Sequence, residues 1–183
     1  MDTKSQIITI ATKLFQQKGY MGVGLSEIIR ACNLSKGALY HHFPGGKEEL
    51  LLACLQSMKE TITNDVEKIF QTYPTMNNAT TAMIDKLVVD FETEGTITGY
   101  TLTSIVSEMG SLNELVRNSC AELYSMLEEI YSNKLIEEGI SVERAHSIAL
   151  MMTASIEGAI MLTLTKQSSD PLKRISSELS NLV

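Results

Sequence analysis

The feature that most constrains this chain is a pair of short apolar-periodic segments, LSEIIRAC (25–32) and SKGALYHHF (35–43), separated only by Asn33 and Leu34. Isolated helices of seven or eight residues do not persist in water, so each must be held by tertiary packing. The spacing predicts a helix from about Leu25 to Cys32, with Ile28, Ile29 and Cys32 directed inward. Asn33 stands where the chain must reverse, and asparagine is the non-glycine residue that best tolerates a left-handed backbone. Leu34 plugs the turn and Ser35 caps a second helix, whose apolar positions Leu39 and Phe43 are spaced i and i+4. Pro44-Gly45-Gly46 ends it. Two short helices across a tight turn, the second with polar side chains to spare, describe a helix-turn-helix.

Such a second helix must bury one face and present the other to a major groove about 12 Å wide. Leu39 and Phe43 meet the first demand, and Lys36, Gly37, Ala38, Tyr40, His41 and His42 are free for the second. Gly37 and Ala38 are small enough for close backbone approach, and Ala38 suits a thymine methyl. Lys36 can donate to guanine O6 and N7, and His41 to an acceptor on a base edge. Tyr40, His42 and Lys47 suit phosphates, and Ser35 stands beside them at the start of the helix; Lys47 also opens a helix, whose N-terminus attracts an anion. Taken alone, the Tyr-His-His run is also compatible with plain surface residues. It does not form a metal site, because adjacent helical residues point about 100° apart.

Net charge is distributed unevenly. Residues 1–50 carry six Lys or Arg against four Asp or Glu, whereas the whole chain has 15 against 22. A mildly basic N-terminal segment on an acidic remainder leaves nucleic acid open as a partner. The 183 residues suffice for a buried core, and three prolines with 5% aromatics favour helices. Cys32, Cys54 and Cys120 lack any CxxC spacing and read as buried hydrophobes in a reducing compartment. With no run of eighteen apolar residues and no signal-like N-terminus, a cytoplasmic protein is expected.

An all-α chain is expected throughout. Thr3-x-x-Gln6 suggests a capping box ahead of Ile7, Ile8, Ala11, Leu14 and Phe15 on one helical face, with Gly19 as the stop. A long helix over about 47–72 carries an apolar stripe from Leu50 to Phe70, and YPTMNN breaks it. Further helices are expected at about 78–94, 101–110, 113–138, 141–167 and 170–182. The domains implied are 1–50 for DNA binding and 75–183 for the remainder, joined by the long helix. No catalytic constellation emerges: His146 and Ser147 are mere neighbours, and no phosphate loop, HExxH or nucleophile elbow occurs. An enzyme and a cofactor are therefore not expected. A helical protein that carries ligands or plays an architectural part, and reads no specific operator, is the competing class; steep salt dependence without sequence preference would mark it.

The stretch LSKGALYHHF…KEEL resembles the DNA-binding domain of the TetR family of bacterial repressors, whose helix-turn-helix ends in S-K-G-x-L-Y-x-H-F before a Lys-led fourth helix. FPGGKEEL and SIEGAIMLTLT are similar to the LmrA/YxaF-like branch. The resemblance implies an N-terminal three-helix helix-turn-helix domain, a C-terminal helical ligand-binding and dimerisation domain, and a homodimeric repressor on a palindromic operator, released by a small inducer. Two departures stand out. Gly24 replaces the Thr or Ser that usually caps the second helix, leaving Ser26 as the substitute hydroxyl. Gly99-Tyr100-Thr101 replaces the branch's Gly-Cys-Pro.

For the inducer, Met83, Leu87, Phe91, Tyr100, Ile105, Met109, Tyr124 and Met152 are expected to line an apolar cavity suited to an aromatic or drug-like compound. Glu108, interrupting TSIVSEMG, is its expected polar anchor. For dimerisation, Ala154-x-x-x-Gly158 permits close helix crossing, with Met161, Leu162, Leu172, Ile175 and Leu179 on the last two helices, which pair as a four-helix bundle by resemblance.

Overall fold

The computed structural model describes residues 2–97, 108 and 114–181. Eight helices occur among them: α1 Thr3–Lys18, α2 Leu25–Ala31, α3 Lys36–His42, α4 Gly46–Thr72, α5 Met76–Glu94, α6 Glu114–Glu137, α7 Val142–Lys166 and α8 Asp170–Leu179. The helix expected at about 101–110 lies outside the described residues except for Glu108. The chain forms two compact units, residues 1–61 with 102–122, and residues 62–101 with 123–183. The expected boundaries at 50 and 75 therefore differ from the packing, because α4 and α6 each contribute turns to both units.

In the first unit, α1 buries Ile7, Ala11 and Phe15. Its cap is not the expected Thr3 box: the Asp2 carboxylate accepts the Ser5 N–H at 2.7 Å, one residue earlier. That bond holds the Asp2 carboxyl below its ordinary range. α2 packs on α1 and on α3, and Ile28 and Leu39 are fully buried where they do. Asn33 adopts φ 54°, as the reversal requires. The first turns of α4 bury Leu50, Leu51, Cys54, Leu55 and Met58. Lys59 of α4 pairs with Glu122 of α6 at 2.9 Å.

In the second unit, α8 packs against α5 and α7. Thr75 caps α5 through the Asn78 N–H at 3.2 Å, and the Glu138 carboxylate accepts the Met76 N–H. Pro171 sits in the first turn of α8, where a missing N–H costs nothing. Lys173 and the Ser169 hydroxyl both donate to Glu92, each at 2.7 Å, so that carboxylate closes an exposed α5–α8 contact. The hydrogen bond from Lys173 is the chief reason its carboxyl lies below the ordinary range. α7 is 25 residues long with mean hydropathy 1.6 in its most apolar window, enough by length and composition to cross a membrane. Its Ala145, Ile148, Ala149, Met152, Ile156, Ala159 and Ile160 are buried within the unit and account for part of that hydropathy, the rest coming from the exposed Leu150, Met151, Met161 and Leu162.

Two outcomes test this packing. Leu39→Ala empties a fully buried site and should lower the stability of the first unit by about 2–5 kcal/mol, measured by urea denaturation. All three cysteines are free and buried. Burial pushes the Cys54 thiol up to about 12 and Cys120 to about 11. Titration with an aromatic disulfide at pH 8 should find them unreactive in the native protein and fully reactive in urea.

Candidate nucleic-acid interface

The second helix of the helix-turn-helix has one buried and one open face. Leu39 is fully buried and Phe43, its C-cap, is 1% exposed. These two residues anchor α3 and leave Lys36, Gly37, Tyr40 and His41 exposed, with Ala38 and His42 half-buried. Ser35 Oγ accepts the Ala38 N–H at 3.1 Å, so this hydroxyl caps α3 while its own proton remains available as a donor. Around Gly37, the nearest atom to an added Cβ is Ser35 Oγ at 3.9 Å, which leaves open space in front of the backbone. The Lys36 ammonium lies 5.8 Å from the Tyr40 ring centroid, and the His41 and His42 rings meet edge to face at 5.2 Å. The exposed face is thus a row of donors and a small-residue gap, with no acidic side chain in it.

The surrounding turns hold this helix in place. Gly46 takes φ 71°, and an added Cβ there would touch the Tyr40 ring at 3.7 Å, so the turn into α4 packs closely on the tyrosine. Ser26 is exposed in the first turn of α2, whose N-cap Gly24 offers no side-chain bond to the free N–H groups. Gly24 has nothing within 4 Å of an added Cβ, so the turn is open to an incoming group. Lys4 reaches over the Phe43 ring at 5.7 Å, a contribution from α1 that the helix-turn-helix segment alone does not announce.

Lys47 differs from the expectation. Its ammonium donates to the Tyr20 carbonyl at 2.5 Å and sits 4.0 Å from the Tyr20 ring centroid. Partial burial lowers its pKa, and Glu108 opposes that shift. Held this way, the ammonium points into the α1–α2 loop rather than out toward a phosphate. Tyr20, which only loop composition marked, is the residue that captures it.

Glu108 also departs from the expectation. Instead of lining an apolar cavity in the second unit, its Oε2 accepts the Met21 N–H at 2.9 Å in the first unit. Of the other expected cavity residues, Met83, Leu87 and Tyr124 line one narrow cleft in the second unit, together with Ile62, Val66 and Glu157. Phe91 and Met152 are buried but do not line it, and Tyr100, Ile105 and Met109 lie outside the described residues. The cleft has about 20 Å³ of free volume, room for a single water. Among the described residues, Glu157 is its one acidic lining residue, recognisable in the sequence only as a charge within MMTASIEGAIML.

The dimerisation residues divide by helix. On α7, Ala154 is exposed, Gly158 is half-buried with nothing within 4 Å of an added Cβ, and Met161 and Leu162 are 48% and 47% exposed. On α8, Leu172 is fully buried and Leu179 is 5% exposed, and Ile175 is half-buried. Leu172 and Leu179 thus serve the core of their own chain, because α8 turns its apolar stripe onto α5 and α7.

Comparison with known proteins agrees with this geometry. Residues 7–54 match the model of bacterial regulatory proteins of the TetR family, and residues 77–178 match the LmrA/YxaF-like transcriptional regulator C-terminal domain. The chain is 35% identical over 182 residues to the HTH-type transcriptional regulator LmrA of Bacillus subtilis, covering 100% of this chain and 97% of that protein. It is 30% identical to YxaF of the same organism, covering 100% and 95%. Among solved structures, reduced NemR of E. coli superposes with a TM-score of 0.88 at 23% identity, covering 99% of this chain and 96% of that one. A TetR regulator from Legionella pneumophila gives 0.86 at 20%, covering 100% and 98%. With both halves matched and an anchored α3 presenting donors outward, this chain is a TetR-family transcriptional regulator of the LmrA/YxaF-like kind, not an enzyme, and it binds DNA through a helix-turn-helix.

Proposed function

We propose that the protein is a cytoplasmic repressor that binds a palindromic operator as a homodimer and is released by a small apolar or aromatic inducer. The observation that carries the reading is the division of α3: Leu39 and Phe43 are spent on the core, and Lys36, Gly37, Ala38, Tyr40 and His41 are not. Lys36 and His41 read base edges. Ala38 touches a thymine methyl across the gap that Gly37 leaves. Tyr40, His42, Ser26 and Ser35 fix register on phosphates.

Pairing through α7 is supported by its outward face. Leu150 and Met151, 59% and 38% exposed, continue the Ala154, Gly158, Met161 and Leu162 stripe at helical spacing. Apolar side chains in such a row are costly in water and are covered when a second copy packs against them. The open surface at Gly158 lets two helix backbones approach closely. Two recognition helices then address half-sites about one helical turn apart, roughly 34–36 Å.

For the inducer, the cleft between Met83, Leu87 and Tyr124 is the site, opened by movement of its flexible methionine. Ile62 and Val66 of α4 line it, and α4 is the same helix that begins at Gly46 beside α3. Filling the cleft tilts α4 and changes the separation of the two recognition helices. A coupling of about 1–3 kcal/mol is typical and would suffice for release.

Two sets of variants check the reading. Tyr40→Phe should weaken binding to every duplex alike, whereas Lys36→Ala should cost about 1–3 kcal/mol at one base pair only. Gel-shift titrations on a set of operator variants separate these, and equal losses on all duplexes for both variants would refute the roles. Met161→Glu with Leu162→Glu should leave the helix content intact and yield a monomer by light scattering at micromolar concentration. Retention of the dimer would remove α7 from the interface.

A further inference from the structure

Glu108 lies between α5 and α6 in the chain, inside the stretch matched by the C-terminal family model, yet its carboxylate works in the first unit. Oε2 accepts the Met21 N–H at 2.9 Å. Oε1 occupies space that any side chain at Gly19 would need: an added Cβ there would stand 2.1 Å away. Gly19 has φ 71°, which favours glycine, and any side chain there would have to displace the Glu108 carboxylate. The neighbouring residue, Tyr20, is held through its carbonyl and ring by Lys47, whose charged form Glu108 favours. One carboxylate and one ammonium thus grip three consecutive residues, Gly19 to Met21.

Other contacts hold the ends of this loop: the Gly19 N–H donates to the Phe15 carbonyl at 2.9 Å, the Tyr20 ring meets Phe15 at 5.8 Å, and Lys18 pairs with Glu27 of α2 at 2.5 Å, whereas the Met21 amide is held by Glu108. Gly22 has no side chain, and an added Cβ there would collide with the Lys18 carbonyl at 2.2 Å. Met21 is 68% exposed. Val23 is fully buried, and α2 begins two residues later at Leu25. Since α2 packs on α3, the pose of the loop is passed to the recognition helix over one turn of chain.

We propose that Glu108 is a positioning residue for DNA recognition: by clasping the Gly19–Met21 loop it fixes the pose of α2 and α3, and so sets how strictly the protein discriminates half-site spacing. The proposal rests on the reading of a two-half-site operator given above. A charge-assisted hydrogen bond to a backbone N–H is stiff and directional, which suits a part that must hold an angle rather than add contact area.

The test uses full-length protein in three forms, wild type, Glu108→Ala and Glu108→Gln. The probe is a duplex selected by the wild type from a random library, with versions carrying one or two extra base pairs between half-sites. Hydrogen exchange at the Met21 amide, followed by NMR without DNA, should accelerate about tenfold in Glu108→Ala. In Glu108→Gln it should be intermediate, since the amide oxygen still accepts. The wild type's preference for its own spacing over the lengthened duplexes should shrink by about tenfold in Glu108→Ala. Unchanged Met21 exchange would overturn the clasp. Faster exchange with undiminished spacing preference would overturn its role in recognition. Should Glu108→Ala not fold, the intermediate behaviour of Glu108→Gln decides both points. Selection of no inverted-repeat duplex by the wild type would instead remove the operator reading, with the Met21 measurement still deciding the clasp.

Discussion

Everything the N-terminal unit does depends on burying two side chains from a seven-residue helix. A helix as short as α3 has too few internal hydrogen bonds to offset its own ordering entropy. Leu39 and Phe43, with the Ser35 cap, supply what the backbone lacks. The consequence is a division of labour within one turn: side chains that fall inward are fixed by volume, and those that fall outward are released from any packing duty. Under the proposed roles, specificity in DNA reading then varies through Lys36, Ala38 or His41 without unfolding the helix. The same logic explains why α2 needs no side-chain cap at Gly24, since Ile28 and the α1 contact hold it.

The second unit answers a different demand. Its helices are long enough to bury continuous apolar stripes, and α7 is apolar on two faces. The inner face is closed by the unit's own packing, and the outer one, from Leu150 to Leu162, is left to a partner in the proposed dimer. Two polar contacts between its helices, Lys86 with Asp65 at 2.5 Å and Lys173 with Glu92 at 2.7 Å, are exposed pairs. Such pairs contribute little free energy and chiefly set register between helices.

Much of this was legible in the sequence, and the reasons are physical. The α2–turn–α3 segment combines a period, a reversal at Asn33 and a cap at Ser35, three local signals that agree, and its helix limits fall within one residue of expectation. The stop at Gly19 is readable because positive φ favours glycine. What could not be read was the destination of long polar side chains. Glu108 and Lys47 were assigned by the company they keep in the chain, whereas both go to the α1–α2 loop, a pairing set by residues up to 89 positions apart. Leu172 and Leu179 failed for a related reason. An apolar stripe on a terminal helix fits a partner chain or its own core equally well, and only the packing on α5 and α7 decides. Met83, Leu87 and Tyr124 do share a cleft, but Glu157 joins them from a helix whose periodicity shows only that a charge lies near an apolar face.

The tightness of that cleft has a consequence for responsiveness. With room for one water at rest, the cleft proposed as the inducer site must first open before any larger molecule can enter, and the apparent dissociation constant in that proposal is the intrinsic one divided by the opened fraction. In that proposal, sensitivity is governed as much by how readily the packing around Met83 and Leu87 opens as by what these residues touch afterwards. Evolution can retune the concentration at which such a regulator responds by loosening or stiffening this packing, leaving the chemistry of recognition untouched.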